Sequence, residues 1–257
     1  MSTKTWIIFA AVVVALFGGL IYLSTRDSTD VSDVNPAVVL GADKRAGDLA
    51  DHTFGNTKSK VVLVEYGDYQ CPGCASASEP LKTVSEKYKD HMVFVFRNYP
   101  LVSLHPNARA AAAAAEAAGL LGKFWEMHDL LYANQSSWER ATTSERNSIF
   151  EGYASQIGLD VTKFANTLRE KSDVINKKIS FDQALGSKVG VTGTPAFYLN
   201  GKSLDQYVLD GKIVPANTSG ATAVWTDADL LDKYVLQPAF KEAGIDVSAT
   251  NKDASKK

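Results

Sequence analysis

Cysteine is nearly absent from this chain of 257 residues, which has only Cys71 and Cys74. That excludes a zinc site of four cysteines and a scaffold stapled by several disulfides. Histidine is sparse as well, with four residues at positions 52, 91, 105 and 128 and no pair at the close spacing of metal ligands. No metal site is therefore expected. A basic excess is also missing: 27 basic residues face 29 acidic ones, and the first 26 residues hold only Lys4 and Arg26, leaving 25 against 29, or −4, for the rest. Such a balance leaves nothing to neutralise a row of phosphates, so no nucleic acid partner is expected. With 18 glycines, 8 prolines and 45% hydrophobic residues, the chain is neither collagen-like nor disordered. No fixed-period repeat is visible.

Long apolar runs are scarce too, with one exception. Residues 6–23 carry no charge and are rich in Val, Ile, Leu, Phe and Ala. As a helix the run reaches about 27 Å, close to the hydrocarbon thickness of a bilayer. It is longer than the apolar core of a secretory leader and ends in Leu23-Ser24-Thr25-Arg26, a poor cleavage site, so residues 1–26 read as an uncleaved signal anchor. Lys4 precedes the run, and Asp27, Asp30 and Asp33 dilute Arg26 after it. The expected topology is a single pass, with the N terminus cytoplasmic and the rest extracytoplasmic. Residues 27–47 are polar and aperiodic and read as a flexible tether, 48–243 as the folded domain, and 244–257 as a fraying tail.

Within the domain, the β-branched run 61–66 reads as a buried strand and 71–88 as a helix kinked at Pro80. Residues 92–96 form a second short apolar run. Helical patterns then follow from about 106 to 131, over 144–157, 161–171 and 174–185, with the alanine run 110–115 at their start. Strand character returns at 196–199, followed by the turn pair Asn200-Gly201, and a last helix covers about 228–243. The segment 204–225, with Asp210-Gly211 as a turn, reads as an added hairpin or a loop near the site. Asn134-Gln135-Ser136 and Asn217-Thr218-Ser219 fit the glycosylation pattern.

The chemistry concentrates in Cys71-Pro72-Gly73-Cys74. As a staple, a loop this short contributes only about 2 kcal/mol in the chain-entropy model. A catalytic dithiol is the better reading, with a staple and a metal site as the alternatives. Cys71 stands where a strand and loop pass into a helix, and free N–H groups there favour a thiolate. Pro72 fits the first turn, where its missing N–H costs nothing. Cys74, one turn on, suits the resolving role. Alternation puts Val62, Val64 and Tyr66 on one face of the strand and Leu63 and Glu65 on the other. If both faces are covered, Glu65 is buried with a raised pKa and can exchange protons; the alternative is a surface carboxylate. Phe124, Trp125 and His128 read as packed helix residues.

From Val62 to Cys74 the sequence resembles the strand and active-site helix of the DsbA-like branch of the thioredoxin superfamily, the thiol-disulfide oxidoreductases. Gly193-Thr194-Pro195-Ala196-Phe197 resembles the branch's cis-proline segment, and the helical block at about 105–188, with Phe124-Trp125-Glu126-Met127-His128, resembles its inserted domain. The resemblance covers about residues 50–202. It implies an α/β thioredoxin fold with a helical insertion, here preceded by a single transmembrane helix. It also implies catalytic roles for Cys71, Cys74 and Glu65, and substrate binding by Pro195 and the backbone of Thr194. The redox-active disulfide Cys71–Cys74 would serve in place of any cofactor. Strongly oxidising relatives carry a histidine inside the motif, where this chain has Gly73. The expected function is an anchored disulfide oxidase. Its partners would be exported proteins with free thiols, a membrane protein that reoxidises the dithiol, and the bilayer through residues 6–23. A reductase or isomerase of the same fold and a non-enzymatic tethered binding module are the rivals.

Overall fold

The computed structural model describes residues 29–248 and 250, together with 6, 9, 10, 12–15 and 17. Those early positions are helical, with Trp6, Phe9, Val12, Val14 and Phe17 exposed. The remainder of the expected anchor, and residues 251–257 of the expected tail, lie outside the described residues. Among the described residues no helix is long and apolar enough to cross a membrane.

The domain is built on a five-stranded sheet. Its strands are β1 (His52–Gly55), β2 (Val62–Gly67), β3 (Val93–Asn98), β4 (Ala196–Leu199) and β5 (Lys202–Ser203), in the order β1-β3-β2-β4-β5. Strands β2 and β3 run parallel, and the other pairings are antiparallel. The parallel pair needs a crossover, which is helix α1 (Pro72–Lys87). Pro80 lies inside α1 and does not end it. Between β3 and β4 the chain leaves the sheet for six helices: α2 (Ala108–Leu120), α3 (Phe124–Ala133), α4 (Gln135–Trp138), α5 (Thr143–Gln156), α6 (Val161–Glu170) and α7 (Ser172–Lys188). Alanine dominates α2 because its helix is buried: Ala111, Ala112, Ala114, Ala115, Ala117 and Ala118 all pack inside this block. The small side chains let neighbouring helices approach. After the sheet come α8 (Ala228–Leu231), a π-turn at Asp232–Leu236, and α9 (Gln237–Ala243).

Both faces of β2 are covered. Val64 and Tyr66 pack with Phe181 and Leu185 of α7. Leu63 packs with Ala77, Leu81 and Val84 of α1 and with Leu236 and Phe240 near the C terminus. The segment 204–225 forms a three-stranded antiparallel sheet of β6 (Tyr207–Leu209), β7 (Lys212–Val214) and β8 (Thr222–Ala223), ordered β7-β6-β8. Asp210 and Gly211 make its hairpin turn, with φ of 50° and 74°. Trp225 beyond it meets Phe197 of β4 at 5.5 Å between ring centroids.

Two expected boundaries need correction. The described part of the 27–47 tether lies against the domain. Val31 and Ala46 are buried there, Lys188 Nζ donates to the carbonyls of Val31, Ser32 and Val34 at 2.7–3.0 Å, and Arg97 donates to those of Pro36 and Val38 at 2.6 and 2.9 Å. Carbonyls held by the buried Arg97 and the exposed Lys188 replace the apolar periodicity that the sequence lacks here. The tail likewise begins later than 244, since Val247 is buried against the core.

Candidate active site

Cys71 is the last extended residue before α1, with φ −75° and ψ 123°, and Pro72 occupies the first helical position. Two side chains of the loop itself, Asp68 and Gln70, and one from the inserted helices, Gln135, hold the loop that delivers it. Asp68, buried, accepts from the N–H groups of Gln70 and Leu101, both at 2.8 Å, and pairs with His105 Nδ1 at 2.7 Å. Gln70 accepts from Asn107 N at 2.8 Å and donates to Glu139 O at 2.8 Å. Gln135 Nε2 donates to the carbonyls of Tyr69 and Cys71 at 2.8 and 3.0 Å. The inserted helices thus position the reactive loop. Sequence reasoning missed Asp68, Gln70 and Gln135, and the last was noted only as part of a glycosylation pattern. Gln135 lies 64 residues from Cys71, and no local signal links them.

Both cysteines are free thiols in this structure. Cys71 keeps 8% of its surface exposed, Cys74 none. Opposite them the Thr194–Pro195 peptide is cis. Cys71 Sγ–H donates to the backbone Thr194 O at 3.2 Å, and the shielded Thr194 hydroxyl has no hydrogen-bond partner. Once ionised, Cys71 has no proton for that carbonyl, and the Thr194 hydroxyl becomes the donor to its sulfur. Gly73 completes the contact: a Cβ there would stand 3.0 Å from Pro195 Cδ and 3.7 Å from Cys71 Sγ. Any side chain at position 73, the relatives' histidine included, would press on the proline.

The two thiols diverge in proton affinity. Cys71 is lowered to about 5, first by the Cys74 S–H directed at it, then by the Thr194 hydroxyl and the N–H groups of Cys74 and Gly73, against an opposing effect of burial. Those backbone groups face the sulfur without closing a helix-cap hydrogen bond. The expectation from sequence placed the helix tip first, whereas the neighbouring thiol outweighs it. Cys74 is pushed well up by burial and by donating to Cys71, with nearby Glu65 adding to the rise. Glu65, 1% exposed, pairs in register with Phe96 and Phe197 on either side. Burial and the Cys71 charge raise its carboxyl to about 8. At neutral pH the site therefore holds a Cys71 thiolate, a Cys74 thiol and a protonated Glu65.

The other residues singled out lie apart from the sulfurs. Phe124 and His128 are buried in the helical block, and Trp125 donates from Nε1 to Thr53 O at 3.0 Å.

A parallel β2–α1–β3 unit, an antiparallel β4 preceded by a cis-proline facing a Cys-Pro-Gly-Cys motif, and helices inserted between β3 and β4 define the thioredoxin fold in its DsbA-like form. The family model described as thioredoxin matches residues 48–211, and the chain belongs to that family. Solved structures with the same fold include α-DsbA1 of Wolbachia pipientis, with a TM-score of 0.57 and 20% identity, covering 75% of this chain and 92% of that one. Another is BdbD of Bacillus subtilis, with a TM-score of 0.55 and 20% identity over 79% and 98% of the two chains. At such identities the likeness shows the fold alone. In sequence, the chain is 37% identical over 152 residues to the Na(+)/H(+) antiporter NhaA 1 of Salinispora arenicola. That match covers 59% of this chain but only 22% of the antiporter, and ion transport belongs to that longer protein.

Proposed function

We propose that the protein is an extracytoplasmic thiol-disulfide oxidoreductase, held at the membrane through residues 6–23, that introduces disulfides into exported proteins. The observation that carries this reading is the Cys71–Cys74 pair at the start of α1 facing the cis Thr194–Pro195 peptide, with Cys71 Sγ 3.2 Å from Thr194 O, surroundings that lower the Cys71 thiol to about 5 and raise that of Cys74. A substrate thiolate attacks Cys71 Sγ of the oxidised pair, and Cys74 leaves as a thiolate that takes the Glu65 proton. A second substrate thiolate then attacks the substrate sulfur of the mixed disulfide and expels Cys71, which is stable as an anion. Stabilising that thiolate stabilises the reduced enzyme and so makes the disulfide oxidising. This favours oxidation over reduction. The substrate strand would lie along Thr194 and Pro195. A membrane partner would reoxidise the dithiol, whose two sulfurs are the only redox group the reaction requires.

Titrating the Cys71/Cys74 couple against glutathione tests the direction. A potential at or above that of glutathione is expected, and one well below it would overturn the oxidase in favour of a reductase. Replacement Cys74→Ala should trap substrate on Cys71 as a mixed disulfide visible on non-reducing gels. If substrate oxidation survived Cys71→Ser, the enzyme reading itself would fall.

A further inference from the structure

Between α1 and α3 lies a cavity of about 210 Å³. Glu65, Ser85 and His128 all line it, and all three are nearly inaccessible, at 1%, 3% and 5% exposure. Each turns a buried polar atom without a hydrogen-bond partner to the interior: Glu65 Oε1, Ser85 Oγ and His128 Nε2. A buried water needs two to four such partners and only ~10–15 Å³ of this kind of space. The cavity has both, and the rest of its lining is mixed, with Phe54, Leu81, Phe94 and Trp125 beside Ser78 and the charged Lys82, Glu86, Glu126 and Asp129.

The orientation of His128 is fixed. Its Nδ1 lies 3.1 Å from Asp129 Oδ1, and Asp129 Oδ2 pairs with Lys82 Nζ at 2.6 Å, where both partners are a third or more exposed. A carboxylate only accepts, so Nδ1 carries the proton and Nε2 offers its lone pair to the cavity. His128 thus bridges solvent at the Lys82–Asp129 pair and the buried side of the site.

We propose that His128 relays protons between Glu65 and solvent through water held in this cavity. The inference rests on the oxidoreductase reading and assigns His128 a relay role that acts through Glu65, not on the sulfurs. When Cys74 must attack a mixed disulfide on Cys71, the protonated Glu65 first gives its proton to bulk through water and His128 Nε2, and the carboxylate so formed takes the Cys74 thiol proton. The Cys74 sulfur then bonds Cys71 Sγ, and the departing sulfur leaves with the electron pair and takes a proton from solvent. The charges facing His128 are consistent with a neutral resting imidazole. Asp129 on its own helix favours the proton, while burial, His52 from β1 and Lys82 from α1 oppose it and prevail. Glu126 and Glu86 also line the cavity, and Tyr69 and Tyr132 pack edge-on at 5.6 and 5.0 Å.

The test uses the full chain carrying glutathione on Cys71 and follows its release in a single turnover. His128→Gln and His128→Ala should each slow release on the order of 10²-fold, the lower end of general acid–base contributions. The pH profile of Cys71 alkylation should not move. Added imidazole should restore release in His128→Ala, where it can enter the space left, but not in His128→Gln. Wild-type release from either folded variant would overturn the relay, as would slow release with Cys71 alkylation shifted alongside it. If His128→Ala fails to fold, His128→Gln decides the matter by rate and alkylation profile alone. Slow release in Glu65→Gln beside normal release in His128→Gln would sink this inference and leave the proposed function standing. In contrast, wild-type Cys71 alkylating like a free thiol would sink the function itself.

Discussion

Cys71 and Cys74 occupy one turn of the same helix and part in proton affinity because of what surrounds each sulfur. Cys71 receives donors from a neighbouring thiol, a threonine hydroxyl and two backbone N–H groups, whereas Cys74 is sealed from water and lies close to a carboxyl. Charge on the first sulfur is solvated by protein dipoles, and charge on the second is not. Thiolate absorbance of reduced protein should therefore rise with a midpoint of about 5. Thr194→Val, which keeps the carbonyl and removes the hydroxyl, should shift that midpoint upward. An unchanged midpoint in the variant would show that the hydroxyl does not serve the anion. Because the folded thiol is more acidic than the unfolded one, the reduced form gains stability above the unfolded pKa and loses it as pH falls toward 5.

At the scale of elements, strand β3 joins parts that sequence proximity keeps apart. Arg97, with no exposed surface, pairs with Asp51 at 2.8 Å and bonds Tyr66 Oη at 3.0 Å as well as the carbonyls of residues 36 and 38. Lys178 of α7 closes the cluster on Asp51 at 3.5 Å and Asp182 at 2.7 Å. Asn98 links Asp182 to Glu116 of α2, and His52 of β1 reaches the same carboxylate at 2.9 Å. Removing one member leaves buried charge uncompensated. Arg97→Met should cost about 3–5 kcal/mol, read as a lower urea midpoint, and should make residues 29–40 sensitive to proteolysis. A change confined to a few tenths of a kcal/mol would mean that water reaches the cluster. This network was illegible beforehand because it depends on which strand and helix come to lie together, and no short-range pattern records that.

For the molecule as a whole, the buried Glu65 carboxyl couples folding to pH. Its folded value of about 8 lies above the ~4.3 of an unfolded chain, so between these limits the folded state holds a proton that the unfolded state has lost. Stability therefore falls as pH rises across about pH 5 to 8, by up to roughly 1.4 kcal/mol per unit from this group. Burial is the larger cause of the shift, so the slope should persist in the disulfide form. Urea midpoints of oxidised protein across that range should show it, and Glu65→Gln should flatten it. An equal slope in wild type and variant would place the titration elsewhere. The strand–helix–strand order, the dithiol at a strand-to-helix junction and the strand face that Glu65 shares with Leu63 were all written in the sequence, because period, turn chemistry and alternation are local properties. Three things were settled only by tertiary structure. Residues 29–47 pack against the domain, the segment 204–225 forms a second small sheet, and His128, Ser85 and Glu65 share one cavity. Each depends on groups separated along the chain meeting in space, where a hydrogen bond or a shared void has no counterpart in local spacing.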